Sequence, residues 1–202
     1  AFADARPQFA AAVGTSSTGW GDSWADLDLD GDLDLVLANG AIPVTNLAKD
    51  AQHVQVIENV SKPNGPARFS SVGPRVGLEE TARVNGRGLA TADFDGDGDL
   101  DVAINSIGGR LVLLRNDAPA RHWLGVQLGS FAPGAVVAVT LPDGRRLVRE
   151  LQAGSSYLSS EDPRAHFGLG SAKRVRELRV RFPDGRVVVR RNVPADRIVE
   201  LD

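Results

Sequence analysis

The chain contains neither cysteine nor methionine among its 202 residues. Because thiols are absent, disulfide bonds, cysteine-ligated zinc and thiol catalysis are all excluded. No stretch approaches the 18 consecutive apolar residues of a transmembrane helix, so we expect no membrane span in this portion. Since the chain starts at alanine and lacks methionine, we expect it to be a processed or truncated C-terminal portion of a longer protein.

Histidine and aromatic residues are also scarce. The three histidines, His53, His122 and His166, lie far apart in sequence without the spacing of metal ligands. A hydrolase that uses the Ser155 to His166 segment remains an alternative, although turn hydrogen bonding also explains its serines. The aromatic residues of the second half are single and separate, so they form no stacking platform for nucleic acid, which is not an expected partner.

Two stretches of nine residues follow the pattern D-x-D-x-D-G-D-L-D. The first contains Asp26, Asp28, Asp30, Asp32 and Asp34, and the second contains Asp93, Asp95, Asp97, Asp99 and Asp101. Five acids so close together repel one another by about 1 kcal/mol per near pair even in water, which indicates a bound cation. Calcium takes several oxygen ligands from such a loop, and glycine permits the tight turn. The sequence therefore predicts two Ca²⁺ sites.

Alternate positions in each loop are the predicted ligands. Side-chain oxygens come from Asp26, Asp28, Asp30 and Asp34, with the backbone carbonyl of Asp32, and in the second loop from Asp93, Asp95, Asp97 and Asp101, with the carbonyl of Asp99. An EF-hand is the alternative, but it requires a bidentate glutamate at position twelve, where this chain has Leu37 and Ile104. Short apolar runs follow both loops, so we predict strands beside them instead of helices.

The loops belong to an internal repeat with an offset of 67 residues, which also relates Phe2 to Phe69 and Gly19 to Gly86. Within one unit we predict strands near residues 23–25, 34–38, 53–60 and 68–72. Four strands per unit are typical of a β-propeller blade. The chain has too few units to close a ring, and Phe2-Ala-Asp4 suggests the last strand of a missing blade. We therefore expect a protein partner or missing propeller blades to cover the open edge.

The loop pattern between strands resembles the FG-GAP or VCBS type of repeat found in integrin-α-like propellers. The resemblance covers residues 1–118 and implies calcium-binding blades in an incomplete propeller.

The second half differs in charge and in hydrophobic pattern. Residues 1–120 carry a net charge of −8, whereas residues 121–202 carry +5, which marks a domain boundary. Apolar and polar residues alternate around residues 136–141 and 178–182, as in half-buried strands. Pro142-Asp-Gly144 and Pro183-Asp-Gly185 lie between such runs and predict hairpin turns. We expect a small β-sandwich or barrel at residues 121–202.

Several motifs of this half resemble the ASPIC/UnbV domain. They are His122-Trp-Leu-Gly125, Gln152-Ala-Gly-Ser-Ser-Tyr-Leu158, His166-Phe-Gly-Leu-Gly170 and Phe182-Pro-Asp-Gly185. The loop at residues 129–134 is shorter than the family's. The combination of repeats and terminal domain resembles the cartilage acidic protein family, whose many bacterial relatives are typically secreted. The resemblance implies a secreted, periplasmic or cell-surface protein, and we expect a bacterial source.

Together these patterns predict an all-β, noncatalytic, calcium-stabilised extracytoplasmic module that binds or scaffolds other proteins or surfaces, as in adhesion. A glycan is a further possible ligand. An accessory subunit of a larger assembly is the main alternative, since the predicted propeller is not closed.

Overall fold

The computed structural model describes residues 17–62, 65–78, 83–117 and 120–202. The elements of this part of the chain are sixteen β strands and a 3-10 helix at Gly73–Val76, so the predicted all-β class is confirmed. The Phe2-Ala-Asp4 segment, predicted to be a strand of a missing blade, lies outside the described residues. No helix in the described ranges is long and apolar enough to cross a bilayer.

The first sheet is an antiparallel meander with the strand order β1-β2-β4-β5. Its strands are β1 (Gly19–Ala25), β2 (Asp34–Asn39), β4 (Gln55–Asn59) and β5 (Phe69–Ser71). The strand predicted at residues 53–60 is shorter than expected, because the buried Val54 separates β4 from a two-residue strand, β3 (Gln52–His53). Strand β3 leaves the meander and pairs with β6 (Arg83–Val84).

The second sheet repeats the first in its first two strands, which lie at the 67-residue offset. It contains β7 (Gly86–Ala92), β8 (Asp101–Ser106) and β9 (Val112–Leu114) in that order. Strands β1 and β7 pack closely: a Cβ atom at Gly21 would lie 2.5 Å from the carbonyl oxygen of Arg87. Buried Val36, Leu89 and Ile104 belong to the core that the two sheets share. Among the described residues these sheets do not close into a ring.

Residues 121–202 form two further sheets around one core, here called the C-terminal sandwich. One sheet has the order β13-β10-β16, with β10 (His122–Leu128) between β13 (Ala165–Gly170) and the parallel strand β16 (Arg197–Leu201). The other has the order β12-β11-β14-β15 and contains β11 (Val136–Thr140), β12 (Arg146–Glu150), β14 (Arg174–Arg181) and β15 (Val187–Pro194).

The predicted alternation and turns of the sandwich are present in the structure. Leu178 and Val180 are fully buried, whereas Arg179 and Arg181 between and after them are exposed. Gly144 and Gly185 have φ angles of 95° and 90°, which glycine adopts without steric cost, at the turns that join β11 to β12 and β14 to β15.

Candidate metal centre

Each acidic loop brings three carboxylates together at the end of a strand. Asp26, Asp28 and Asp30 follow β1 and offer oxygen atoms that lie within 4.8 Å of one another. In the second loop, the corresponding group consists of Asp93, Asp95 and Asp101, which span the connection from β7 to β8. Six of the ten predicted site residues therefore meet in two clusters.

The other four predicted residues lie outside the two clusters. Asp34 accepts the backbone N–H of Asn59 at 2.8 Å and so ties the first loop to the end of β4. Asp97 accepts the backbone N–H of Asp99 at 2.9 Å. The predicted side-chain ligation by Asp34 and Asp97, and backbone ligation by Asp32 and Asp99, stay predictions.

The two loops share a backbone pattern. The Oδ1 atom of Asp28 accepts the N–H of Asp30 at 3.2 Å, and the Oδ1 atom of Asp95 accepts the N–H of Asp97 at 3.3 Å. Each carboxylate oxygen has more than one acceptor site, so these turns, and the bond from Arg121 to Oδ2 of Asp28, leave lone pairs for a cation. The fold of each loop is therefore compatible with oxygen ligation of a cation.

Positive φ angles recur at equivalent positions of the loops. Gly31 and Gly98, which are 67 residues apart, have φ angles of 103° and 98°. One pair departs from this match, because Gly96 (φ 83°) corresponds to Leu29 (φ 60°) in the first loop. A leucine in the left-handed region is strained, yet its side chain is almost fully buried, with 1% exposed.

Burial makes the first cluster electrostatically unusual. Asp26 is only 1% exposed, and its burial raises the pKa of the carboxyl to about 7, with partial compensation from Arg149. Burial likewise raises the pKa of Asp34 to about 7. The Oδ1 atom of Asp26 is buried and has no hydrogen-bond partner among the described residues. An orphaned carboxylate oxygen inside a group of three carboxylates fits a divalent cation with oxygen ligands.

The C-terminal sandwich contacts the first loop through the backbone of β13. The N–H of Gly168 donates to Asp26 Oδ2 at 2.9 Å, and the N–H of Gly170 donates to the carbonyl of Leu29 at 2.8 Å. A Cβ atom at position 168 would lie 2.5 Å from the same Asp26 oxygen. The sandwich therefore fixes the orientation of the most buried carboxylate of the cluster.

Arginines of the sandwich half surround the same loop. Arg121 donates to the carbonyl of Asp28 at 2.7 Å and to its carboxylate at 2.9 Å. Arg145 donates to the carbonyl of Asp30 at 3.2 Å. The guanidinium of Arg149 lies 3.7 Å from Asp26 Oδ2.

The second loop meets the sandwich in a similar way. His166 Nε2 lies 2.9 Å from the carbonyl oxygen of Gly98, and Arg164 reaches the carbonyl of Asp93 at 3.4 Å. Trp123 packs so closely on Gly98 that no side chain fits there. Both acidic loops therefore lie at the contact between the N-terminal sheets and the sandwich.

This contact was not predicted from the sequence. The alternation in the second half predicts a solvated strand face for several of its arginines, and Arg179 and Arg181 are exposed in this way. Arg121, Arg145 and Arg149, in contrast, point at the first acidic loop. The sequence did contain one signal for this contact. The two halves have opposite net charges, which mark a domain boundary and in addition favour attraction between the halves.

The Ser155 to His166 segment, considered above as the site of an alternative hydrolase, bonds to itself and to the N-terminal sheets. The Oγ atom of Ser155 accepts the N–H of Glu161 at 3.2 Å, and Tyr157 packs edge-on against Trp20 with ring centroids 5.0 Å apart. His166 is half-buried, its Nε2 atom is bonded to the loop carbonyl, and desolvation lowers the pKa of the imidazole to about 4. These contacts give the segment a structural role at the interface.

Comparison with known proteins supports the interpretation of the second half. Residues 125–202 match the family described as ASPIC and UnbV. The chain is 33% identical over 175 residues, 82% of its length, to cartilage acidic protein 1 of Mus musculus and of Homo sapiens. It is 39% identical over 114 residues, 52% of its length, to cartilage acidic protein 1 of Xenopus tropicalis. The predicted ASPIC/UnbV domain and the similarity to cartilage acidic protein are confirmed.

The chain spans only part of these curated relatives. The aligned region covers 26% of the mouse protein, 25% of the human protein and 17% of the frog protein. The FG-GAP or VCBS assignment of the first half and the bacterial source stay predictions.

Proposed function

We propose that the chain is a noncatalytic, calcium-stabilised extracytoplasmic module that binds or scaffolds other proteins or surfaces. The observation that carries the calcium assignment is the orphaned Oδ1 atom of Asp26 within the cluster of Asp26, Asp28 and Asp30. Asp93, Asp95 and Asp101 provide the second site. Bound calcium supplies positive charge that offsets the mutual repulsion of these carboxylates.

Stabilisation is the proposed role of the metal. If a site bound calcium at about 0.1 mM and the free ion were at about 1 mM, mass action would add about 1.4 kcal/mol per site to the free energy of unfolding. Two sites then contribute a sizeable share of the stability of a marginal domain. Sites of this kind suit the calcium-rich space outside cells, and similarity to proteins named for cartilage supports a secreted, periplasmic or cell-surface location.

The repeat supports the proposal that residues 1–118 are FG-GAP or VCBS-type propeller blades. Strands β1 and β2 recur as β7 and β8 at the 67-residue offset, with an acidic loop between the two strands of each pair, and each sheet then continues with further strands. Strand β5 is the edge of its sheet, which motivates the second candidate, an accessory subunit completed by a partner or further blades. Native mass measured in calcium distinguishes an assembly from a monomer.

Removal of a single cluster carboxylate tests the calcium assignment. Asp28→Ala is expected to lower the melting temperature more in millimolar calcium than in chelator, because the metal-bound state loses a ligand in addition to the contacts with Asp30 and Arg121 that are lost in both conditions. Glu200→Ala, which removes an exposed carboxylate of β16, is the control and should behave like the parent protein. An equal fall for Asp28→Ala in both conditions would contradict a metal site at this loop.

A further inference from the structure

The first sheet has apolar residues on both of its faces. Val36 and Ala38 of β2 belong to the core that is shared with the second sheet, whereas Leu35 belongs to a separate cluster with Ile57. Side chains alternate between the faces of a strand, and directly paired residues of antiparallel strands point to the same side. The face that points away from the second sheet is here called the Trp24 face and consists of Trp24, Leu35, Leu37, Ile57 and Phe69.

Two aromatic rings cover the Trp24 face. The rings of Trp24 and Phe69 meet edge-on with their centroids 5.9 Å apart, although β1 and β5 are the two edge strands of the sheet. The rings therefore reach over the buried side chains of Leu35 and Ile57 between them. Trp24 is nevertheless 46% exposed. An apolar cluster with a large exposed ring resembles one half of a core between two sheets.

The second sheet has an outward face of a different shape. Val102 and Ile104 point into the shared core, so Ala103 between them points the other way, in a row with Ala90 and Leu113. Leu113 is 48% exposed, although it is large and apolar. The surface of Ala90, Ala103 and Leu113 is here called the Leu113 face. It presents two small side chains beside a projecting leucine.

The internal repeat relates the Trp24 face to a contact that already exists between the sheets. At the 67-residue offset, Leu35 and Leu37 correspond to Val102 and Ile104. The side chains of Val102 and Ile104 belong to the core between the two sheets. The Trp24 face is therefore the repeat equivalent of the face with which the second sheet contacts the first.

The Leu113 face is related to the opposite side of the same contact. Ala103 corresponds to Val36, which belongs to the shared core, and Ala90 corresponds to Ser23. The Oγ atom of Ser23 lies 3.1 Å from the Oγ1 atom of Thr91 in the second sheet. A Trp24 face placed on a Leu113 face therefore reproduces the packing of the second sheet on the first.

We propose that a second copy of this chain docks its Trp24 face on the Leu113 face, so that copies associate head to tail. The small side chains of Ala90 and Ala103 leave space for the exposed indole ring, and Leu113 adds apolar area to the contact. Contacts between two different faces generate closed rings or open chains. Because propellers close with about four to eight sheets, a closed ring would contain about two to four copies. This inference rests on the repeat of the proposed module and identifies its partner.

Sedimentation equilibrium in millimolar calcium tests the proposal. Contacts between single sheet faces are small and bind weakly, so protein concentrations up to about 0.5 mM are needed. The mass of the parent protein should rise above that of a single chain. Trp24→Glu and Leu113→Glu should each remain monomeric, because each places an unpaired charge in the contact. Val187→Glu, at a similarly exposed valine of β15, is the matched control and should associate like the parent.

A mixture of two variants distinguishes this geometry from other modes of association. Trp24→Glu retains an intact Leu113 face, and Leu113→Glu retains an intact Trp24 face. Together they should form a 1:1 pair, although neither associates alone. If Trp24→Glu does not fold, as judged by circular dichroism, Leu113→Glu still tests the contact, because it changes an exposed side chain of an edge strand.

Several results would overturn the proposal. These are a parent protein that stays monomeric, a Leu113→Glu variant that associates like the parent, and folded variants that do not pair when mixed. Calcium titration of the same samples is the independent measurement. A monomer that binds two calcium ions contradicts the docking and leaves the calcium-stabilised module intact, whereas association without calcium binding contradicts that module and leaves the docking intact.

Discussion

Leu29 adopts a backbone conformation that favours glycine, at the position where the second loop has Gly96. The left-handed conformation costs a residue with a Cβ atom about 1–2 kcal/mol. The leucine side chain is almost fully buried, its backbone lies against Gly168 of β13, and the burial offsets the strain. The strained backbone of Leu29 thus lies where the first loop contacts the sandwich.

The strain at Leu29 predicts an unusual order of stabilities. Leu29→Ala should lower the free energy of unfolding by about 2–5 kcal/mol, because a buried side chain is lost. Leu29→Gly should be no less stable than Leu29→Ala, since glycine regains the strain energy that alanine keeps. Urea unfolding of both variants in calcium measures the difference. A glycine variant about 1 kcal/mol less stable than the alanine variant, as at an ordinary position, would contradict the interpretation.

His166 predicts a pH dependence of stability. Its pKa is about 4 in the folded protein, against 6.5 as the ordinary value, because burial disfavours the charged ring. Between these values the unfolded chain binds a proton that the folded protein does not, so stability falls as the pH falls from 6.5 towards 4. The full contribution is about 3 kcal/mol above pH 6.5.

A substitution isolates this contribution from the titration of the acidic loops. His166→Gln retains an N–H donor for the Gly98 carbonyl but does not titrate. The stability of the parent protein should therefore fall more steeply between pH 6.5 and 4 than that of the variant, both measured by thermal unfolding in the same calcium concentration. If the stabilities of the two proteins fell in parallel with pH, His166 would have the same pKa in the folded and unfolded states, which would contradict the prediction.

At the scale of the elements, strand β13 determines how closely the first loop can approach the sandwich. A Cβ atom at Gly168 would lie 2.5 Å from Asp26 Oδ2, so Gly168→Ala must displace either the strand or the carboxylate. We expect the variant to bind calcium at the first loop at least tenfold more weakly, as measured by calorimetry. Gly154→Ala is the matched control, because a Cβ atom at Gly154 meets nothing within 4 Å. Equal affinities would show that the sandwich does not orient Asp26.

Local patterns made most of the strands predictable. Period-two alternation identified β11 and β14, and the two Pro-Asp-Gly segments identified their turns, because both signals depend on neighbouring residues alone. The division of residues 53–60 was missed, because the burial of Val54 depends on the packing of the two N-terminal sheets. The proximity of carboxylates within each loop follows from local sequence, since the members lie within nine residues of one another, and their role as calcium ligands stays a prediction.

The contact between the loops and the sandwich could not be predicted from local sequence patterns. Gly168 meets Asp26 across 142 residues of sequence, and no local pattern encodes a pairing of that range. A short glycine-rich motif in β13 signals only that a backbone or ligand comes close, without saying which one. The opposite net charges of the two halves indicate that the halves attract each other, but they do not identify the residues that make contact.

At the scale of the whole molecule, the two halves meet through carboxylates and backbone carbonyls of the acidic loops. Gly168 and Gly170 donate their N–H groups to the first loop, so these bonds form only while that loop keeps its conformation. If calcium stabilises the loop, its removal should also loosen the attachment of the sandwich. The metal sites and the contact between the halves are then energetically coupled.

Amide hydrogen exchange measured by NMR tests this coupling in the intact chain. On chelation, exchange at Gly168 and Gly170 should accelerate by about tenfold per 1.4 kcal/mol of lost calcium stabilisation, because opening of the contact becomes that much more frequent. The amide of Val180, in the core of the sandwich, is the internal control and should change less. Unchanged rates at both glycines would mean that the loop keeps its conformation without metal and that the two halves stay joined independently of calcium.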